Sequence, residues 1–158
     1  MLKGGLFDPY YCRGSIKARF KKATKGFDLI NEPECFYRTF QNKVKKNMGI
    51  FTNVPWVQKH FEPCFEILCA LDLPFILIVQ QNIFKTTYFQ KQKHNIKNKE
   101  QLRLFSCRQQ MTFTTKVGAK EYSVRKDICL LTYFPSETWY EKAIKYISLG
   151  DLAEIRFY

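Results

Sequence analysis

Six cysteines, at positions 12, 35, 64, 69, 107 and 129, and two histidines, His60 and His94, are the side chains best suited to metal binding or nucleophilic chemistry. Their spacing does not assemble a centre. No C-x-x-C pair occurs, and the nearest approach to a zinc set is His60 with Cys64 and Cys69. His60 and Cys64 fall one helical turn apart, but Pro63 interrupts that turn and a fourth ligand is missing. The cysteines therefore read as buried thiols in a reducing compartment, with no metal. Glu137 and Glu141 also fall one turn apart and read as acids favoured by the dipole at the start of a helix. The sequence has no glycine-rich phosphate loop, no G-x-S-x-G and no H-E-x-x-H, and the His-x-His of a nicking enzyme is absent. The expectation is a protein that is not an enzyme and uses no cofactor and no small-molecule substrate.

Binding chemistry is better represented. Between Lys85 and Lys99 the cations Lys91, Lys93 and Lys97 alternate with Tyr88, Phe89, His94 and amide side chains. Lysines can neutralise phosphates there while aromatics and amides stack on, or hydrogen-bond to, bases. A second stretch runs from Arg108 to Lys126, where Thr114, Lys116, Lys120, Arg125 and Lys126 crowd around Gly118. Short polar side chains mixed with Lys and Arg suit an irregular RNA backbone of phosphates and 2′-hydroxyls. A third group, Arg13, Lys17, Arg19, Lys21, Lys22 and Lys25, has no acid between Asp8 and Asp28.

Composition agrees with that partner class. The 158 residues carry 26 Lys plus Arg against 14 Asp plus Glu, a formal charge of +12, which favours a polyanion and nucleic acid above all. The excess is graded: +7 over residues 1–55, +4 over 56–110 and +1 over 111–158. It is made mostly of Lys, with abundant Ile, Phe, Tyr and Asn, a vocabulary of AT-rich codons that points to an organellar genome, a virus or an AT-rich microbe. A hydrophobic content of 46% with 15 Phe and 9 Tyr can fill a core and argues against wholesale disorder. The longest apolar run, Leu73 to Val79, is too short to cross a bilayer, and no secretory signal follows Met1, so neither a membrane partner nor secretion is expected.

The elements that must position these residues follow from pattern. Ser15 caps a basic amphipathic helix with Ile16, Phe20, Ala23 and Phe27 on one face, and a second helix runs from Pro33 to about Asn47. Asn53 and Pro55 mark a boundary, giving a basic helical extension over 1–55 and a folded domain over 56–158. In that domain the pattern predicts a helix over 62–71, a buried strand over 75–80, a helix over 99–107 capped by Asn98, strands over 111–116 and 122–134, and a last helix opened by Ser136. The fold class is α+β, a mainly antiparallel sheet with helices packed on one face.

From about residue 60 onward Leu73 to Val79 with Asn82, Arg108 to Met111 with Thr114 to Lys116, Tyr122 to Asp127, Cys129 to Tyr133 and Trp139 to Glu141 follow in an order that resembles the L-five family of large-subunit ribosomal proteins, which bind 5S rRNA. Leu73-Pro74-Phe75-Ile76-Leu77-Ile78-Val79 followed by Asn82 resembles that family's first strand. Arg108-Gln109-Gln110-Met111 with Thr114-Thr115-Lys116 stands in place of its Gly-Gln-x-Pro and following Thr strand. Tyr122-Ser123-Val124-Arg125-Lys126-Asp127 is similar to its Phe-Lys-Ile-Arg-x-Gly, and Cys129-Leu130-Leu131-Thr132-Tyr133 to its Cys-x-Val-Thr-Leu. Trp139-Tyr140-Glu141, with Ile147 and Leu152 to Phe157, resembles the family's later helix and closing motif. Phe134-Pro135 replaces an Arg-Gly, Ala153-Glu154 replaces a Pro-Arg, the family's C-terminal third is not matched, and residues 1–55 have no counterpart.

The resemblance implies a divergent, organellar constituent of the large ribosomal subunit, in the mitochondrial matrix, holding rRNA in the central protuberance. It implies that the loop matching Thr114 to Tyr122 reaches toward P-site tRNA, with Lys116, Lys120 and Arg125 as leading contacts and neighbouring ribosomal proteins as further partners. Arg13 to Lys25 becomes an added clamp on rRNA or a neighbour. The competing expectation is a viral or mobile-element protein that binds nucleic acid outside any ribosome.

Overall fold

The computed structural model describes residues 6–7, 29–30, 49–55, 57–107, 110–117, 119–135 and 152–155. The two helices expected before residue 48 and the one opened by Ser136 lie outside these residues.

The fold is built on β4 (Phe75–Gln80), where Phe75, Leu77 and Val79 are buried and alternate with half-buried Ile76, Ile78 and Gln80. That period of two is the strand signature. On one flank β3 (Gly49–Thr52) pairs with β4 in parallel, Ile50 against Phe75 and Thr52 against Leu77. On the other flank β8 (Ile128–Tyr133) and then β5 (Leu102–Cys107) follow antiparallel. Beyond β5 lies β9 (Leu152–Ile155), and beyond β3 lie the two-residue strands β1 (Leu6–Phe7) and β2 (Leu29–Ile30), giving the order β2-β1-β3-β4-β8-β5-β9. The protein is thus α+β, with a mostly antiparallel centre. Gly49–Thr52 stands on the N-terminal side of the boundary expected near residue 55, yet it is a strand of this sheet and Ile50 and Val54 belong to its core.

Two helices cover the face that carries Phe75, Leu77 and Val79. Helix α1 (Gln58–Leu71) buries Phe61, Cys64, Phe65, Leu68 and Cys69 at helical spacing. It starts four residues before the expected Glu62, because Pro63 is its sixth residue and removes only the N–H that would have met the Lys59 carbonyl. Helix α2 (Thr87–Gln92) adds Phe89, whose ring stacks on Phe65 at 5.2 Å, while Phe65 meets Phe75 edge-on at 6.2 Å. Burying each such ring is worth about 2–3 kcal/mol, so this aromatic triplet is the principal clamp between helices and sheet. Phe105, Ile128 and Thr132 are buried on the sheet's other face.

Two expected elements are corrected. Residues 102–107 form β5, preceded only by a short 3₁₀ turn at Lys99–Gln101, not a helix over 99–107. Apolar residues at 102, 104 and 105 satisfy either period locally; the open edge of β8 decides, taking Leu102 opposite Tyr133 and Leu104 opposite Leu131. The single strand expected over 122–134 is two: β7 (Lys120–Lys126), which pairs only with β6 (Met111–Val117) in a separate two-stranded sheet, and β8. The alternation runs through exposed Asp127 without Gly or Pro, so nothing local marks the change of partner.

Candidate nucleic-acid interface

β5 and β8 are antiparallel neighbours, with Ser106 opposite Cys129 in register, and the β6–β7 hairpin is inserted between them. It therefore leaves the body at the end of the sheet where Gln80 meets Ile128. Residues 120–125 of β7 are all exposed, on both sides of the ribbon. Alternation puts Lys120, Tyr122, Val124 and Lys126 on one side and Glu121, Ser123 and Arg125 on the other. Tyr122 and Val124 are 52% and 48% exposed, so neither is held against the core. The register sets Thr112 opposite Arg125, Thr114 opposite Ser123, Lys116 opposite Glu121 and Val117 opposite Lys120.

At the root of this hairpin lies an open cleft of about 370 Å³, lined by Gln80, Gln81, Asn82, Phe84, Lys85, Lys126 and Asp127. Its framework is rigid for local reasons. The Gln81 N–H donates to the Asp127 carbonyl at 3.0 Å, tying the end of β4 to the start of β8. Gln81–Lys85 then form a 3₁₀ turn pinned by Ile83, which is buried in the core. Thr86 closes that turn, donating from its N–H at 3.0 Å and from Oγ1 at 2.6 Å to the Ile83 carbonyl, and Gln90 Nε2 donates to the Phe84 carbonyl. Phe84 packs partly against the core, with Lys85 Nζ 5.8 Å from its ring centroid. Among the described residues, neither Lys126 nor Asp127 is engaged in an ion pair.

The expected contacts are sorted unevenly by this geometry. Lys120, Arg125 and Lys126 share the hairpin, although Arg125 falls on the opposite side of β7 from the other two, and the register places Thr114 and Lys116 on β6. Lys126 also lines the cleft. Lys91, on α2, and Lys93 do not line the cleft, and Lys97 forms an ion pair with Asp72 at 3.3 Å, beside Tyr133. That is the other end of the strands, about 17 Å from Gln80 at the rise of a β-strand. Of the rings expected to stack on bases in this segment, only His94 is exposed. Phe89 is buried completely and Tyr88 packs on Phe61 at 5.7 Å, because the segment needs them to seat α2 on α1. Arg13, Lys17, Arg19, Lys21, Lys22, Lys25 and Arg108 lie outside the described residues.

Sequence reasoning missed Gln80, Gln81, Asn82 and Lys85 as a group. The available signal was a run of three amides directly after the apolar residues 75–79 and one residue before Phe84-Lys85, which reads equally well as a strand terminator. Among the described residues, Cys64, Cys69 and Cys129 are buried thiols and Cys107 is half-buried. Burial pushes Cys69 up to about 12 and Cys129 up to about 11, the direction opposite to that of a reactive thiolate. Among the described residues no three His, Cys, Asp or Glu side chains converge on a metal position, and no helix is long and apolar enough to cross a membrane. No family model matches the sequence, and no curated protein is significantly similar to it.

Proposed function

We propose that this protein is a structural constituent of the large subunit of a mitochondrial ribosome. In this reading it binds rRNA in the central protuberance, near 5S rRNA and P-site tRNA, beside neighbouring ribosomal proteins. The observation that carries the reading is the β6–β7 hairpin, a ribbon inserted between adjacent strands whose β7 is exposed over residues 120–125 and bears Lys120, Arg125 and Lys126. A two-stranded ribbon exposed along β7 leaves its cations open to a large polyanionic partner. The order of landmarks from Leu73 to Phe157 resembles the L-five family and supports rRNA over other polyanions. The mitochondrial assignment rests on the AT-rich vocabulary and on the divergence of those landmarks.

Sedimentation of the source-cell lysate tests this. Co-migration with large ribosomal subunits through a high-salt cushion is the expected result, and a free pool that binds any duplex would overturn it in favour of a viral or mobile-element protein. With purified protein, Lys116→Ala combined with Arg125→Ala should weaken rRNA binding and reduce the slope of log K against log salt by about two. An unchanged slope would remove the hairpin from the interface.

A further inference from the structure

We propose that the cleft at the hairpin root holds one unpaired guanine of a single-stranded RNA segment, with the Asp127 carboxylate reading its Watson–Crick edge. The proposal rests on the RNA-binding reading above and assigns the base that the interface selects.

The size comes first. A volume of about 370 Å³ sits at the small end of ligand sites and admits a single nucleotide, not a helix. The lining is the second argument. Lys85 and Lys126 both line the cleft and supply positive charge for the phosphates that flank an inserted base. Gln80, Gln81 and Asn82 each carry a donor and an acceptor, so they tolerate any base edge. Phe84 supplies the only aromatic surface of the lining.

Asp127 breaks this tolerance. Among the described residues that line the cleft it is the one acid, and a carboxylate can only accept hydrogen bonds. Guanine alone presents two adjacent donors, N1–H and the 2-amino group, on its Watson–Crick edge, matching the two carboxylate oxygens. Adenine and cytosine pair one donor with a ring acceptor, and uracil sets one donor between two carbonyls; each would press a lone pair against the carboxylate. Single-stranded RNA is read in this way, by splayed bases whose pairing edges are free. Asp127 is exposed and its backbone is fixed by the Gln81 N–H, so the carboxylate is available without rearrangement of the fold.

Fluorescence anisotropy of the full chain with oligoadenylates of about seven nucleotides, carrying one central substitution, tests the assignment. A central guanine should bind about tenfold tighter than adenine, uracil or cytosine, and inosine, which lacks the 2-amino group, should lose most of that gain. Asp127→Asn should erase the guanine preference, so that the guanine-containing and all-adenine strands bind the variant alike. Lys85→Ala with Lys126→Ala should weaken every oligonucleotide alike and lower the salt slope. Equal affinity for all bases, a guanine preference that survives Asp127→Asn, or binding to large-subunit rRNA but to none of the oligonucleotides overturns the cleft assignment and leaves the RNA-binding reading standing. Failure to bind any RNA overturns both.

Discussion

Asp72 joins three parts of the chain. It caps the C-terminus of α1 in the left-handed region, φ 53°, a conformation that Asp tolerates better than most residues. Its Oδ1 accepts from the Tyr133 hydroxyl at 2.5 Å and its Oδ2 from Lys97 Nζ at 3.3 Å. The hydroxyl reaches from the last residue of β8, so one carboxylate fixes the end of α1, the end of the central strand and the 93–98 turn. Tyr133 is itself buried, and removing its hydroxyl leaves Asp72 one bond short without opening a cavity. Tyr133→Phe is expected to cost about 1–2 kcal/mol, read as a lower urea midpoint at unchanged m-value. Loss of the exposed Lys97 partner should cost far less, since Lys97 is 74% exposed and the pair is screened by water.

Among the elements, the β6–β7 hairpin is unlike the rest. Helices α1 and α2 exist because their apolar faces fit the sheet, and β4, β8 and β5 exist because they fit one another. The hairpin pairs only with itself, and its exposed β7 residues contribute little to the core. Since Ser106 and Cys129 are already in register, a short glycine-containing turn in place of residues 109–126 should join β5 to β8 directly. The shortened protein is expected to lose less than about 1 kcal/mol, a shift of roughly 4 °C in Tm. Its RNA affinity should fall more than tenfold and its salt slope by about three, because Lys116, Lys120, Arg125 and Lys126 go with the ribbon. Loss of cooperative unfolding in that variant would show that the hairpin is part of the core after all.

At the scale of the whole molecule, charge and burial act in different places. The net charge of +12 raises encounter rates with any polyanion but carries no sequence information. Buried acids of a weaker kind set the response of stability to pH. Desolvation raises Cys69 from 9.0 to about 12 and Cys129 from 9.0 to about 11, and burial followed by the Asp72 contact raises Tyr133 above 10.0. Each group stays protonated in the folded state while the unfolded chain ionises. Between about pH 9 and 11 the unfolded state therefore binds fewer protons, and stability falls as pH rises. The urea midpoint should be flat from pH 6 to about 8 and decline steadily above about 9, and the decline should shrink in Cys69→Ala. A midpoint that rises with alkaline pH would contradict the burial of these thiols.

Much of the body was readable from local pattern. The apolar run after Pro74 gives β4 with its observed ends, the spacing of Phe65, Leu68 and Cys69 gives α1 from Glu62 onward, and the Thr-rich stretch after Met111 gives β6. These signals depend only on period and on turn chemistry, which a sequence carries by itself. What it does not carry is which partner a strand finds. Leu102–Cys107 became a strand because β8 offered an unpaired edge, and Tyr122 to Phe134 split at Asp127 because its two halves met different neighbours. For the same reason the alternation of Lys with Tyr88 and Phe89 suggested a stacking surface, until the aromatics proved to be the contacts that seat α2. The candidate site shows the division most sharply. Lys120, Arg125 and Lys126 could be named from charge and spacing, but the place of Lys126 beside Gln80, Gln81, Asn82 and Lys85 joins residues some forty positions apart. Only the antiparallel return of β8 along β4 brings those two stretches together.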